Sequence, residues 1–191
     1  MFSSEESLKR RTGPHGTGRL KYLQAIVTEY QDTSDKEHKL QIIANLANFG
    51  YDPINYQFFR TLNVIDLFLD VLAEEDQDKE DKEYNDTMIQ FAIGGICNCC
   101  LDKLNKAYII ENDGIQYTVK CLESTNDCTV MSAITTLMYL ITPETRLAIT
   151  AGYIQNRMKQ LVKSTNTRIS NLAKIFLEDY CKRNMPAGDE N

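Results

Sequence analysis

In the stretch Lys39–Pro53, KLQIIANLANFGYDP, the apolar residues Leu40, Ile43, Leu46 and Ala47 recur on one helical face, and Gly50 and Pro53 supply the stop. The same helix returns three times, as MIQFAIGGICNCC from Met88, TVMSAITTLMYLI from Thr129 and RISNLAKIFLEDY from Arg168. Aligning the four brings Leu46, Ile96, Leu137 and Phe176 into register at spacings of 50, 41 and 39 residues. A second marker agrees: NVIDLFLDVL, DGIQYTVKCL and GYIQNRMKQL each open another amphipathic helix, with Ile65, Ile115 and Ile154 spaced by 50 and 39 residues. Between the two markers, Asn55 to Arg60, Asn105 to Glu111 and Glu144 to Thr150 leave room for about two helical turns each.

One unit is therefore a short helix and two longer ones in roughly 40 residues, a length found in α-helical repeat arrays. Such a unit cannot bury its apolar face alone, and stacking on neighbours supplies the missing core. GRLKYLQAIVTEYQ, with Leu20, Leu23, Ile26, Val27 and Tyr30, reads as the first long helix of an incomplete N-terminal unit. The expected fold is all-α: a short right-handed α-solenoid of about three and a half repeats over residues 18–181. Residues 1–17, with Gly13, Pro14, Gly16 and Gly18 following Lys9-Arg10-Arg11, show no amphipathic period and are expected to be a flexible tail. Residues 182–191 are expected to behave alike.

Composition is consistent with this reading. Of 191 residues, 42% are apolar, 25% are charged and 13 are Gly or Pro, so a turn-rich β architecture is disfavoured. No apolar run approaches a membrane span, and Met1 to Leu20 lacks a signal-peptide core, so no membrane role or classical secretion is expected. The formal net charge of −6 is concentrated in residues 74–86, EEDQDKEDKEYND, which hold eight acids and two bases and leave 19 of each elsewhere. That block has no aliphatic residue and reads as a solvated acidic loop, whose length also explains the longer first spacing.

Side chains that could carry chemistry are sparse. Cys97 and Cys100 make a C-x-x-C pair, but zinc needs two more ligands, and Cys121, Cys128 and Cys181 lie at unrelated spacings. The pair ends a helix, whereas an activated thiol prefers a helix N-terminus, and Cys97 aligns with the core positions Ala47 and Met138. Reduced, buried thiols are the expected state, and neither metal nor cofactor is expected. With His15 and His38 as its two histidines, the chain offers little for nucleophilic catalysis, and it is read as a non-enzyme. The tandem Gly94-Gly95 has no phosphate-loop context and points to the close approach of a neighbouring helix or of a partner. Scattered lysines and an acidic balance argue against direct RNA binding.

What remains is the surface that stacked units create, lined by the last helix of each. Its non-core positions are Gln41, Ala44, Asn45 and Asn48, then Phe91, Gly94 and Asn98, then Ser132, Thr135 and Tyr139, then Asn171, Lys174 and Glu178. Asn side chains can pair with a partner's backbone, and Phe91 and Tyr139 would be exposed aromatics of the kind enriched at interfaces. GRLKYLQAIVTEYQ, LANFGYDPINY, VIDLFLDVL, FAIGGICN, SAITTLMYL and NLAKIFLEDYC, between Gly18 and Cys181, resemble segments of an armadillo-repeat family protein. Nuclear-import armadillo proteins pair groove Asn residues with Trp one turn earlier; here Ala44, Gly94 and Thr135 stand there, so a ladder for import signals is not expected. The resemblance implies an adaptor that binds an RNA-recognition-motif protein, RNA-binding motif protein 48, in the nucleus, with the cytoplasm as a second location, as part of the minor spliceosome. There that partner contacts the capped end of U6atac RNA, and this chain would touch RNA only indirectly. The alternative reading is a general cytosolic scaffold or chaperone-like adaptor with no RNA link.

Overall fold

Each long repeated helix begins at a side chain that closes its own first turn. Asp35 accepts from the His38 N–H at 2.9 Å, Asp81 from Tyr84 at 3.3 Å, Asn126 from Cys128 at 2.9 Å and Asn166 from Arg168 at 2.9 Å. The computed structural model describes residues 2–13, 16–74 and 81–181. Among these, α1 (Glu5–Thr12) precedes an incomplete unit of α2 (Arg19–Asp32) and α3 (Lys36–Phe49). Three full units follow: α4 (Tyr56–Thr61), α5 (Val64–Ala73) and α6 (Lys82–Cys99); α7 (Lys103–Glu111), α8 (Gly114–Cys121) and α9 (Asp127–Leu140); α10 (Arg146–Ile149), α11 (Gly152–Leu161) and α12 (Thr167–Phe176). A wider π turn, Leu177–Cys181, extends α12.

Within units, α2 packs on α3, α5 on α6, α8 on α9 and α11 on α12; between units, α3, α6, α9 and α12 lie side by side. The molecule is thus a right-handed α-solenoid of two helix rows joined by short helices. The four register residues Leu46, Ile96, Leu137 and Phe176 are all fully buried in one continuous core. Of the second markers, Ile65 and Ile154 are buried and Ile115 half-buried.

Polar ties hold the row at both ends. At the N-terminal ends, Lys36 pairs with Asp81 at 3.0 Å, Asn126 donates to Gln90 at 2.7 Å and Asn166 donates to Asp127 at 2.7 Å, each crossing from one long helix to the next. At the C-terminal ends, a four-residue device recurs: Asp52-Pro-Ile-Asn55, Asp102-Lys-Leu-Asn105 and Thr142-Pro-Glu-Thr145. Its last residue is buried and donates back to a carbonyl of the long helix just ended: Asn55 to Phe49 at 2.8 Å, Asn105 to Cys99 at 3.2 Å and Thr145 to Leu140 at 2.7 Å. Carbonyls left without intrahelical partners are thereby satisfied as the chain turns into the short helix.

Two segments differ from the sequence expectation. Residues 1–17, expected to be a flexible tail without an amphipathic period, contain α1, which is closed by a Ser4–Ser7 capping box. Glu5 and Glu6 sit in its first turn and Lys9, Arg10 and Arg11 in its last, matching the helix dipole, while none of its residues is buried. Periodicity therefore gives no sign of it. The acidic loop, expected over residues 74–86, is shortened, because α6 starts at Lys82 on its Asp81 cap and takes up Lys82–Asp86. Residues 75–80 and 182–191 lie outside the described residues.

Candidate protein-interaction face

α3, α6, α9 and α12 bury one side against the second-helix row and touch one another laterally, which leaves one face open. Every sequence-predicted site residue lies on these helices or on the turn that extends α12, and each is at least partly exposed. Gln41, Asn48, Tyr139, Asn171, Lys174 and Glu178 are exposed, and Asn45, Phe91, Asn98, Ser132 and Thr135 are half-buried. Phe91 packs against the core with part of its ring, and Tyr139 keeps 40% of its surface in solvent. Burial of the rest of Tyr139, with Cys97 and Cys100 nearby, pushes its phenol above the ordinary value, so it stays a neutral donor.

Not all of these groups are available to a partner. The Asn98 side-chain amide donates to the Ala47 carbonyl at 3.0 Å, and the Asn98 backbone carbonyl accepts from the Tyr56 hydroxyl at 2.9 Å, so Asn98 ties α3, α4 and α6 together. Gln41 donates to Asn45 at 3.2 Å, and the Thr135 hydroxyl donates to the Met131 carbonyl at 2.8 Å. Asn48, Ser132 and Asn171 make no side-chain hydrogen bond among the described residues. The tandem glycine divides in the same way. A Cβ on Gly95 would stand 2.5 Å from the Phe68 ring, so that glycine serves the α5–α6 contact. A Cβ on Gly94 would meet nothing within 4 Å, so no packing inside the chain requires it. At its centre the face is thus neutral, backed by Phe91 and Tyr139, and open above a glycine.

No family model matches the chain. Over 175 residues, however, it is 48% identical to armadillo repeat-containing protein 7 of Mus musculus, covering 91% of this chain and 83% of the mouse protein. The chain belongs to the armadillo repeat-containing protein 7 family. Two engineered proteins with solved crystal structures, each 17% identical, superpose with TM-scores of 0.66 and 0.69 over 83% and 93% of this chain. The aligned part makes up 62% and 40% of those chains, and the likeness is one of fold. Proteins built of armadillo repeats are interaction scaffolds, and the third-helix row is the face that stacking leaves open in this chain.

Four of the six thiols are sheltered beneath this armadillo face. Cys99, Cys100 and Cys121 are buried and Cys97 is half-buried. Burial pushes Cys100 and Cys121 up to about 12 and raises Cys97 and Cys99 as well, so all four are neutral thiols at physiological pH. The Cys100 thiol donates to the Cys97 carbonyl at 3.2 Å, as a small packed group does. Among the described residues no three His, Cys, Asp or Glu side chains gather as a metal site would need.

Sequence reasoning missed a cleft of about 440 Å³ between α2, α3 and α5, lined in part by Tyr30, Lys39, Asp66, Asp70 and Glu74. The three acids stand four residues apart, Asp66 and Asp70 on α5 and Glu74 at its C-terminal cap, a spacing visible in the sequence once that helix is placed. The Tyr108 hydroxyl donates to Asp66, and Lys39 lies 5.4 Å from the Tyr30 ring centre. Desolvation first, then nearby Tyr84, Glu74 and Asp70, push the Tyr30 phenol up to about 12.

Proposed function

We propose that the chain is a non-enzymatic adaptor whose third-helix face holds an RNA-recognition-motif protein, RNA-binding motif protein 48, within the minor spliceosome of the nucleus. The observation that carries the reading is membership of the armadillo repeat-containing protein 7 family, joined to a neutral open face at Phe91, Gly94, Thr135 and Tyr139. A net charge of −6 fits a protein that meets RNA through its partner, since phosphate affinity requires clustered cations.

The test is co-expression of the two proteins, followed by recovery of the tagged chain from nuclear extract with its bound proteins and RNAs. The wild type is expected to bring down the RNA-recognition-motif partner and U6atac RNA together. A Phe91→Glu, Thr135→Arg variant, folded as judged by its melting curve, is expected to lose both. Asn98 is left intact because it ties the array. Absence of the partner from the wild-type complex removes the assignment, whereas equal recovery with the variant moves the site to another face. Recovery only in large cytosolic assemblies without RNA favours the general scaffold.

A further inference from the structure

Of the three copies of the device at the C-terminal ends of the long helices, two share the Asp and the Asn but differ in what those side chains hold. In the second copy, Asp102-Lys-Leu-Asn105, one Arg60 nitrogen donates to Asp102 Oδ1 at 2.9 Å and to Asn105 Oδ1 at 2.7 Å. That guanidinium, reaching over from the preceding unit, completes the Asn side chain, whose amide already holds the Cys99 carbonyl. In the first copy, Asp52-Pro-Ile-Asn55, the Asn55 amide holds the Phe49 carbonyl in the same way. Asn55 is only 1% exposed, yet its Oδ1 has no hydrogen-bond partner among the described residues. A buried acceptor without a donor is the exception in folded proteins. In the third copy Thr142 and Thr145 replace the acids and amides and bond to each other, which leaves no acceptor over.

We propose that Asp52 and Asn55 form an arginine-receiving site for a protein partner docking on the N-terminal edge of the array, with α1 as its displaceable cover. The site takes the place that Arg60 fills one unit later with one guanidinium nitrogen bridging both oxygens, and a guanidinium, more weakly hydrated than an ammonium, enters such a buried oxygen pair at less cost. What now lies on it is slight. The Ser3 N–H donates to Asp52 Oδ2 at 3.0 Å, the Phe2 and Tyr51 rings meet at a tilt with centres 5.6 Å apart, and α1 buries none of its residues. The chain's own Arg10 and Arg11 do not supply the donor, since Asn55 Oδ1 accepts from no described residue. This site is separate from the third-helix face and does not depend on which partner occupies that face.

The test uses the full-length chain, isotope-labelled for NMR, titrated with N-acetyl-arginine amide and, as control, N-acetyl-lysine amide. A Phe2→Ala, Ser3→Pro variant frees the cover by removing the Phe2 ring and the N–H. In that variant the arginine probe is expected to shift the Asn55 side-chain amide and the Ile54 N–H saturably, about tenfold more tightly than the lysine probe. In the wild type the same shifts need more probe, and in an Asp52→Asn version of the freed variant, matched in melting temperature, they vanish. Equal response to both probes, or none in the freed variant, overturns the proposal. So does a change in the Asn55 signal on Arg10→Ala, Arg11→Ala replacement without probe, which would make α1 the occupant.

Discussion

The joint between α5 and α6 and the edge beneath α1 join helices by opposite means. At the first, Phe68 is fully buried against a glycine with no room for a methyl group, and Phe59 meets Phe68 edge-on at 6.4 Å. At the second, a helix with no buried residue only half-buries Leu8 and Thr12, and it is led in by the Ser3–Asp52 hydrogen bond and a tilted Phe2–Tyr51 ring contact. Apolar area is what stabilises stacked units, so the centre of the array carries the stability while the edge is left free to exchange one cover for another.

Alkali should distinguish them most strongly. The central thiols Cys99, Cys100 and Cys121 have pKa values raised above the ordinary 9.0, the latter two to about 12. An unfolded chain loses these protons first, so between pH 9 and 12 it binds fewer protons than the native state, and stability falls as pH rises. The expected outcome is a urea midpoint constant from pH 6 to about 8 that drops steeply above about 9, with the core signals lost in one transition. A flat profile to pH 11 would mean that these thiols are not held away from water.

Next come substitutions at the central joint. Phe68→Ala is expected to cost about 3–5 kcal/mol in urea unfolding, the range for removing a buried ring. Gly95→Ala should cost about 1–3 kcal/mol despite the better helix propensity of Ala, because the added methyl collides with that ring. Combining the two tests the contact directly. With Phe68 already Ala, Gly95→Ala should become neutral or stabilising, and additivity would show that the residues do not meet.

Arg60→Ala probes the filled copy of the end device. It leaves Asn105 Oδ1 buried without a donor and is expected to cost about 1–3 kcal/mol, turning the second joint into the likeness of the first. Asn55→Ala should cost less than Asn105→Ala, since one of its two oxygen and nitrogen atoms is idle already.

The same contrast decides what could be read in advance. The long helices were legible because Leu46, Ile96, Leu137 and Phe176 are all fully buried, so each position had to stay apolar and its period survived in the sequence. α1 was not, because it buries nothing, and its signature is a Ser4–Ser7 capping box rather than a stripe. The start of α6 was missed because acidic residues there read as solvated loop, although Asp81 is a cap and Glu83 sits favourably in the first turn. At the candidate face, the positions followed from helical spacing, but the employment of Asn98 did not. A side chain bonded to a backbone carbonyl 51 residues earlier leaves no pattern in sequence. The D-x-x-N repeat was visible as letters, and only the geometry shows that one copy holds an arginine and the other holds none.

The smallest effect expected is the most discriminating, because it changes sign between neighbours. Gly94→Ala adds a methyl group into open space, so it should stabilise the isolated chain by about 0.5–1 kcal/mol through helix propensity alone. In a chain of this size that is a rise of roughly 2–4 °C per kcal/mol in melting temperature. If the third-helix face takes its partner over this point, the more stable protein should bind that partner less tightly, since the methyl group fills the space the partner needs. Calorimetric melting and partner pull-down on the same Gly94→Ala sample measure both quantities. A stabilised variant with undiminished binding would place the contact elsewhere on the array, while a destabilised one would mean that Gly94, like Gly95, is held by packing.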